Sequence, residues 1–384
     1  MKKRLLLLTS ALLFSCGTAP TNGDFTEAAL PNNEIALKFG EHTDAISAIE
    51  SFYDKAKEAL PQEENENFLF SPISYYMAVC NFAPIDGMLT PEALESIGVS
   101  SVEEAISRAK EITEGVQWAD EYGVWGRMTN LVVDFAHFFS EAQKQIYLEN
   151  YHASFLADYG KRKDLINQWI SNLTDHHVSS MDHDVWKNGE FGFVNGLFLN
   201  ASYYGGGFYS TEEGTFNNSQ KVTYRVGQME LVDYQTNDEY TAFSYKIQFG
   251  HYKNGGVRTV MPKKEGLRTF MAEKTIRSFF QTPPAYHIAE IKMPKQVLQD
   301  SIDIGKAIKD LGVQGTGIVE QPTIQQNNTL EFQESGVYAY SLTEGVDILT
   351  SGDLVHITLD RPYAFEIVDP NEVPLFYGEV RTVR

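Results

Sequence analysis

Any fold this chain adopts has to find a place for the segment from Glu334 to Leu354, whose side chains are sorted by size rather than by polarity. Just upstream, Asn328, Thr329, Leu330, Glu331 and Phe332 end in the apolar/polar alternation of a half-buried strand. Glu334, Ser335 and Gly336 interrupt it. Beyond them, Val337, Ala339, Ser341, Thr343 and Gly345 are all small and share one face of an extended chain, because strand side chains alternate with a period of two. Tyr338, Tyr340, Leu342 and Glu344 fall on the other face. With no proline to interrupt a ladder, the segment can slot between existing strands over a packed core or stay outside as a loop.

The remaining chain is large enough to supply that core. It has 384 residues, 42% of them hydrophobic and 12% aromatic, which fits one large domain or two ordinary ones and argues against disorder. Its net charge is −21, and loss of residues 1–15 with their three cations would leave −24. Such a field repels nucleic acid and anionic surfaces.

Met1-Lys2-Lys3-Arg4 and the apolar run Leu5–Ser15 have the layout of a secretory signal, too short to span a bilayer. Leu13-Phe14-Ser15-Cys16-Gly17 resembles the bacterial lipobox, which implies a lipidated Cys16 as mature N-terminus. Residues 16–35, rich in Gly, Pro, Thr and Asn, then read as a tether, with the folded domain over 36–384. Cys80 is left without a disulfide partner and sits among Met77, Ala78, Val79 and Phe82 as a core thiol.

Within the domain, Ala45, Ile46, Ile49, Phe52 and Tyr53 have helical spacing. Ser71-Pro72 suits a helix start, with a capping hydroxyl and a proline in the first turn. Phe191–Leu199 is apolar enough for a buried central strand. No Gly-x-Ser-x-Gly, His-Glu-x-x-His or phosphate-loop motif occurs, so an enzyme is not expected. His176, His177 and His183 read as surface residues and not a metal site, and Gly205-Gly206-Gly207 as a flexible turn. No metal or cofactor is expected.

The run Leu330–Ala339 resembles the strand-to-hinge segment of serpins. Further resemblances follow in that family's order: Asn67–Ser74, Thr90–Val99, Leu165–Ile170 with Thr174, Phe191–Leu199, Thr211–Phe216, Thr259–Pro262, Ile291–Val313, Asp360–Ile367 and Leu375–Val380. The resemblance implies an α+β fold of three β-sheets and eight to nine helices, with an exposed reactive-centre loop from about Gly336 to Leu354. It also implies a suicide inhibitor of serine or cysteine proteases, in which the cleaved loop inserts as a new strand.

The family pattern makes Glu334, Ser335, Gly336, Val337, Ala339 and Ser341 the hinge, with Gly336 allowing the sharp change of direction. It places Ser71, Ser74, Asn195 and Gln326 where the sheet opens. Gln326 stands where the family has histidine, so a hydrogen bond to Ser71 or Ser74 would come from an amide. Tyr203 or Tyr204 stands in for the family's tryptophan. Counting from Gly336 puts the scissile bond at Thr350-Ser351, with Leu349-Thr350 and Ser351-Gly352 as alternatives. No Lys or Arg lies between Lys309 and Arg361, which disfavours trypsin-like targets and favours elastase-, chymotrypsin- or subtilisin-like ones.

The expected partners are a target protease and a membrane reached through the lipid, with no nucleic acid, for a monomer anchored outside the cytoplasm of a bacterium. The rival readings are a non-inhibitory serpin-fold binding lipoprotein, towards which Tyr338, Tyr340 and the missing tryptophan point, and an unrelated adhesin.

Overall fold

The computed structural model describes residues 25–26, 43–60, 66–116, 118–119, 125–157, 163–173, 191–249, 254–264, 266–272, 274–280, 284, 286–313, 325–337 and 354–383. In chain order the first elements are β1 (Phe25–Thr26), α1 (Thr43–Ala59), β2 (Phe68–Phe70), α2 (Pro72–Cys80), α3 (Pro91–Ser96) and α4 (Val102–Gly115). Next come β3 (Trp118–Ala119), β4 (Trp125–Asp134), α5 (Glu141–Asn150), β5 (Ser154–Ala157), α6 (Lys163–Leu173) and β6 (Phe191–Tyr203). Strands β7 (Gly206–Phe216), β8 (Gln220–Thr236), β9 (Tyr240–Gln248) and β10 (Asn254–Pro262) follow, then α7 (Leu267–Met271) and a 3-10 turn over Ile276–Phe280. The chain closes with β11 (Tyr286–Pro294), β12 (Val297–Asp303), α8 (Gly305–Asp310), β13 (Gln325–Glu331), β14 (Gly336–Val337), β15 (Leu354–Thr358), β16 (Tyr363–Val368) and β17 (Pro374–Val380).

Three β layers result. The first runs β1-β5-β4-β6, with the separate antiparallel pair β12-β13. The second is β9-β10-β16-β17-β2, and the third β15-β11-β8-β7. They join where Ser202 and Tyr203 of β6 meet Gln248 and Ile247 of β9, and where β8 runs on beside β9. Within the stretch read as a tether, Phe25 and Thr26 pair with Leu156 and Phe155.

Local chemistry accounts for the central pieces. Ser71 caps α2, its hydroxyl accepting from the Ser74 amide while Pro72 takes the first turn. Helix α2 is buried at every position but Ala78, as an all-round apolar sequence requires, and it packs against β6 and β17. Cys80 lies in that core, where burial pushes its thiol well above the usual range, so it is inert. Helix α6 lays Leu165, Ile166, Trp169 and Ile170 on the opposite side of the first layer, against Leu131, Val133, Leu156 and Val194. Strand β6 therefore has two apolar faces. Phe193, Leu197, Leu199 and Ala201 look towards the α2 core and Val194 towards α6.

Candidate functional site

The site lies between β6 and β13. Among the described residues no ladder joins these strands directly; their only link is β14, at the upper end. Gly336 and Val337 pair antiparallel with Ser202 and Ala201, and Val337 also bridges Phe332 at the end of β13. The chain thus turns back on itself over Gln333–Gly336, closed by the Gln333 amide donating to the Gly336 carbonyl at 2.8 Å. Both Gly336 and Val337 are buried and paired, so neither belongs to the exposed loop expected from Gly336. The glycine also acts differently from the expectation: a Cβ on Gly336 would stand 2.1 Å from the Ala201 carbonyl oxygen. Close strand approach demands the glycine there, not a reversal of its own backbone.

The turn is held carbonyl by carbonyl. Phe332 O accepts from the Arg225 guanidinium. Gln333 O accepts from the Tyr203 hydroxyl at 3.1 Å, Glu334 O from the Phe208 amide at 2.8 Å and Ser335 O from the Tyr203 amide at 3.1 Å. Tyr203, not the 41%-exposed Tyr204, occupies the top of the layer, its ring edge-on to Phe208 and Tyr245. Burial holds its phenol neutral, well above the usual range. Gly205-Gly206-Gly207 is part of the same packing: a Cβ on Gly207 would come 3.0 Å from the Glu334 carbonyl oxygen.

Lower down, Gln326 of β13 grips the start of α2. Its Oε1 accepts from the Ser71 amide and its Nε2 donates to the Ser71 carbonyl, both at 3.0 Å. The amide thus reaches Ser71 through the main chain, not the hydroxyl. The Ser71 and Ser74 hydroxyls pair with each other at 3.0 Å. Asn328 donates to Leu69 O at 2.9 Å and Gln326 Oε1 at 3.1 Å, and Asp300 of β12 accepts from the Leu69 amide at 3.0 Å. Burial lifts the Asp300 carboxyl above the ordinary aspartate range.

Asn195 sits on β6, across the opening. It donates to Asn130 Oδ1 at 2.9 Å, and Asn130 in turn donates to the Tyr151 carbonyl at 2.8 Å. The Asn195 Oδ1 is buried and has no hydrogen-bond partner among the described residues.

The structure therefore brings Ser71, Ser74 and Gln326 together on one side, Asn195 on the other, and Tyr203 with Glu334, Ser335, Gly336 and Val337 at the top. Ala339, Ser341, Leu349, Thr350, Ser351, Gly352, Cys16 and the three histidines 176, 177 and 183 lie outside the described residues. Sequence reasoning missed Arg225, Asn328 and Asn130. The available sign for Arg225 was a cation in a strand otherwise flanked by Val222, Tyr224 and Val226. Polar residues on strands read as solvent-facing until the neighbouring layer is known.

A mixed α/β protein with a divided sheet, and a hairpin turn leading into the division, is the class these features define. The Serpin (serine protease inhibitor) family profile matches residues 48–383, and the chain belongs to that family. The human plasma serine protease inhibitor is 23% identical over 348 residues, covering 82% of this chain and 84% of that protein. The native thermophilic serpin tengpin superposes with a TM-score of 0.70 at 17% identity, covering 93% of this chain and 98% of its own. Human thyroxine-binding globulin complexed with its hormone superposes with the same score at 16% identity, covering 90% of this chain and 98% of its own. At these identities the structural likenesses show the fold.

Proposed function

We propose that the protein is a suicide inhibitor of serine proteases of elastase, chymotrypsin or subtilisin type, with cysteine proteases as a second target class. One observation carries this reading: β14 enters the gap between β6 and β13 with the polarity of an inserted strand, and among the described residues no ladder fills the gap below it. In the proposed reaction the protease serine attacks the Thr350-Ser351 carbonyl, expels the Ser351 amine and becomes esterified to Thr350. The freed loop then continues β14 down the gap before water can deacylate the enzyme.

Continuing the observed register sets Ala339 opposite Leu199, Ser341 opposite Leu197 and Asn328, and Thr343 opposite Asn195 and Gln326. The small side chains then share the face of buried Val337, over the α2 core. A Thr343 hydroxyl there supplies the donor that the Asn195 Oδ1 lacks. Tyr338 and Tyr340 fall on the opposite face, so the tyrosines do not obstruct the core.

The test is incubation with elastase, chymotrypsin, subtilisin and trypsin, read by denaturing gel and mass spectrometry. A denaturant-resistant complex and a released peptide starting at Ser351 are expected with one of the first three. Thr343→Arg should keep the loop cleavable but abolish the complex, because a cation would have to be buried beside Asn195. Clean cleavage of the native chain without any complex would sink inhibition and leave the second reading, a binding protein on the same fold, which the substitution of Tyr203 for tryptophan favours. We further propose attachment to a bacterial envelope through Cys16. Expression of the full chain and Cys16→Ser should give membrane and soluble fractions respectively, and equal partitioning would refute the anchor.

A further inference from the structure

We propose that Arg225 is a positioning residue that keeps the hinge turn seated in the sheet, acting as a two-pronged latch with Glu331. Arg225 comes from β8, in a different layer from β13, and is only 4% exposed. One guanidinium nitrogen donates to the Phe332 carbonyl, the last carbonyl before the turn, and the other meets Glu331 Oε1 at 3.0 Å. The second Glu331 oxygen accepts from Gln333 Nε2 at 3.1 Å, so the same carboxylate ties the latch to the first residue of the turn. Tyr203 closes the opposite side through the Gln333 and Ser335 carbonyls.

The consequence is geometric. A strand inserted beside β13 needs a reversal after Phe332, and forming it is the nucleation step of hairpin growth, where conformational entropy is lost before ladder bonds accumulate. Here that reversal exists in advance. Arg225 supplies a charge-assisted contact that cannot be lost without stranding both a buried cation and a buried carbonyl. Lysine cannot replace it fully, because one ammonium lacks the fork that spans Phe332 O and Glu331 together.

The effect on inhibition rests on the inhibitor reading; the effect on the hinge does not. Hydrogen exchange should be followed at the Tyr203 and Phe208 amides, which donate to the turn, in the full protein and in Arg225→Met, Arg225→Lys and Glu331→Gln. A charge-assisted bond of about 1.5–3 kcal/mol corresponds to exchange at those two amides faster by about tenfold or more in Arg225→Met. Lys should recover part of this, and the amides of β16 should not change. In protease assays the same variant should consume several times more inhibitor per trapped enzyme at an unaltered rate of attack. Unchanged exchange at Tyr203 and Phe208 would overturn the latch, and so would acceleration spread evenly over the molecule. If the native chain traps no protease, the inhibitor reading falls while the exchange data still decide the role of Arg225. Should Arg225→Met fail to fold, Arg225→Lys and Glu331→Gln carry the same comparison.

Discussion

Gln326 shows how one side chain can do the work of a strand. Its primary amide carries a donor and an acceptor side by side, the arrangement of a peptide group, and so completes both main-chain bonds of Ser71 at 3.0 Å. An imidazole would present one ring nitrogen to that pair and leave the other group unmet. Gln326→Glu removes only the donor and sets a carboxylate oxygen against the Ser71 carbonyl. The Ser71 carbonyl keeps the Tyr75 amide at 3.0 Å, so the lost hydrogen bond costs about 0.5–1.5 kcal/mol, and repulsion between the carboxylate and that carbonyl adds to it at neutral pH. Thermal melts should therefore show a Tm lowered by several degrees at pH 7. Acidification, which restores a carboxyl O–H donor, should recover much of the loss. A Tm equal to the native one at pH 7 would mean that the gap below β14 does not depend on this grip.

At the scale of elements, β16 and β17 illustrate the cost of fully buried strands that carry acids. Every residue of both strands is buried, Glu366 and Glu379 included. Arg381 and the Tyr377 hydroxyl satisfy Glu379, while Glu366 has Arg258 at 3.4 Å. Burial raises the Glu366 carboxyl above the ordinary glutamate range, and Arg258 only partly offsets it. The folded state then favours the protonated acid more than the unfolded chain does. Its contribution is fully present below the ordinary glutamate pKa of about 4.3 and is lost as pH rises through the raised value. Glu366→Gln mimics the protonated form and leaves Arg258 its second partner, Glu372. The variant should melt above the native protein at pH 7–8, with the gap closing towards pH 4. A gap that is constant with pH, or reversed, would show that Arg258 dominates over burial.

At the scale of the whole molecule, no strand among the described residues lies between β6 and β13 below β14, and an added strand there would pair with both. On the proposed mechanism the intact protein is held short of its most stable arrangement by a kinetic barrier. Cleavage of the loop should therefore raise the Tm steeply, far more than nicking a surface loop does. Equal melting of cleaved and intact protein would place the molecule with the non-inhibitory members of its family.

What could be read from the chain alone was local or periodic. The capped start of α2 at Ser71-Pro72, the doubly apolar β6 and the small face of the segment after Gly336 are properties of neighbours in sequence, set by sterics and side-chain alternation, whereas the hinge residues were implied only by the family resemblance. That Gln326, implied by the resemblance to bond Ser71 or Ser74, grips both main-chain groups of Ser71 across 255 positions, and that Arg225 reaches Phe332 across 107, were decided only by the packed layers. So was the reason for Gly336, which lies in the Ala201 carbonyl facing it and not in its own backbone. Period and propensity constrain a residue through its near neighbours, whereas a buried donor or a close backbone approach is defined by whichever distant strand arrives beside it.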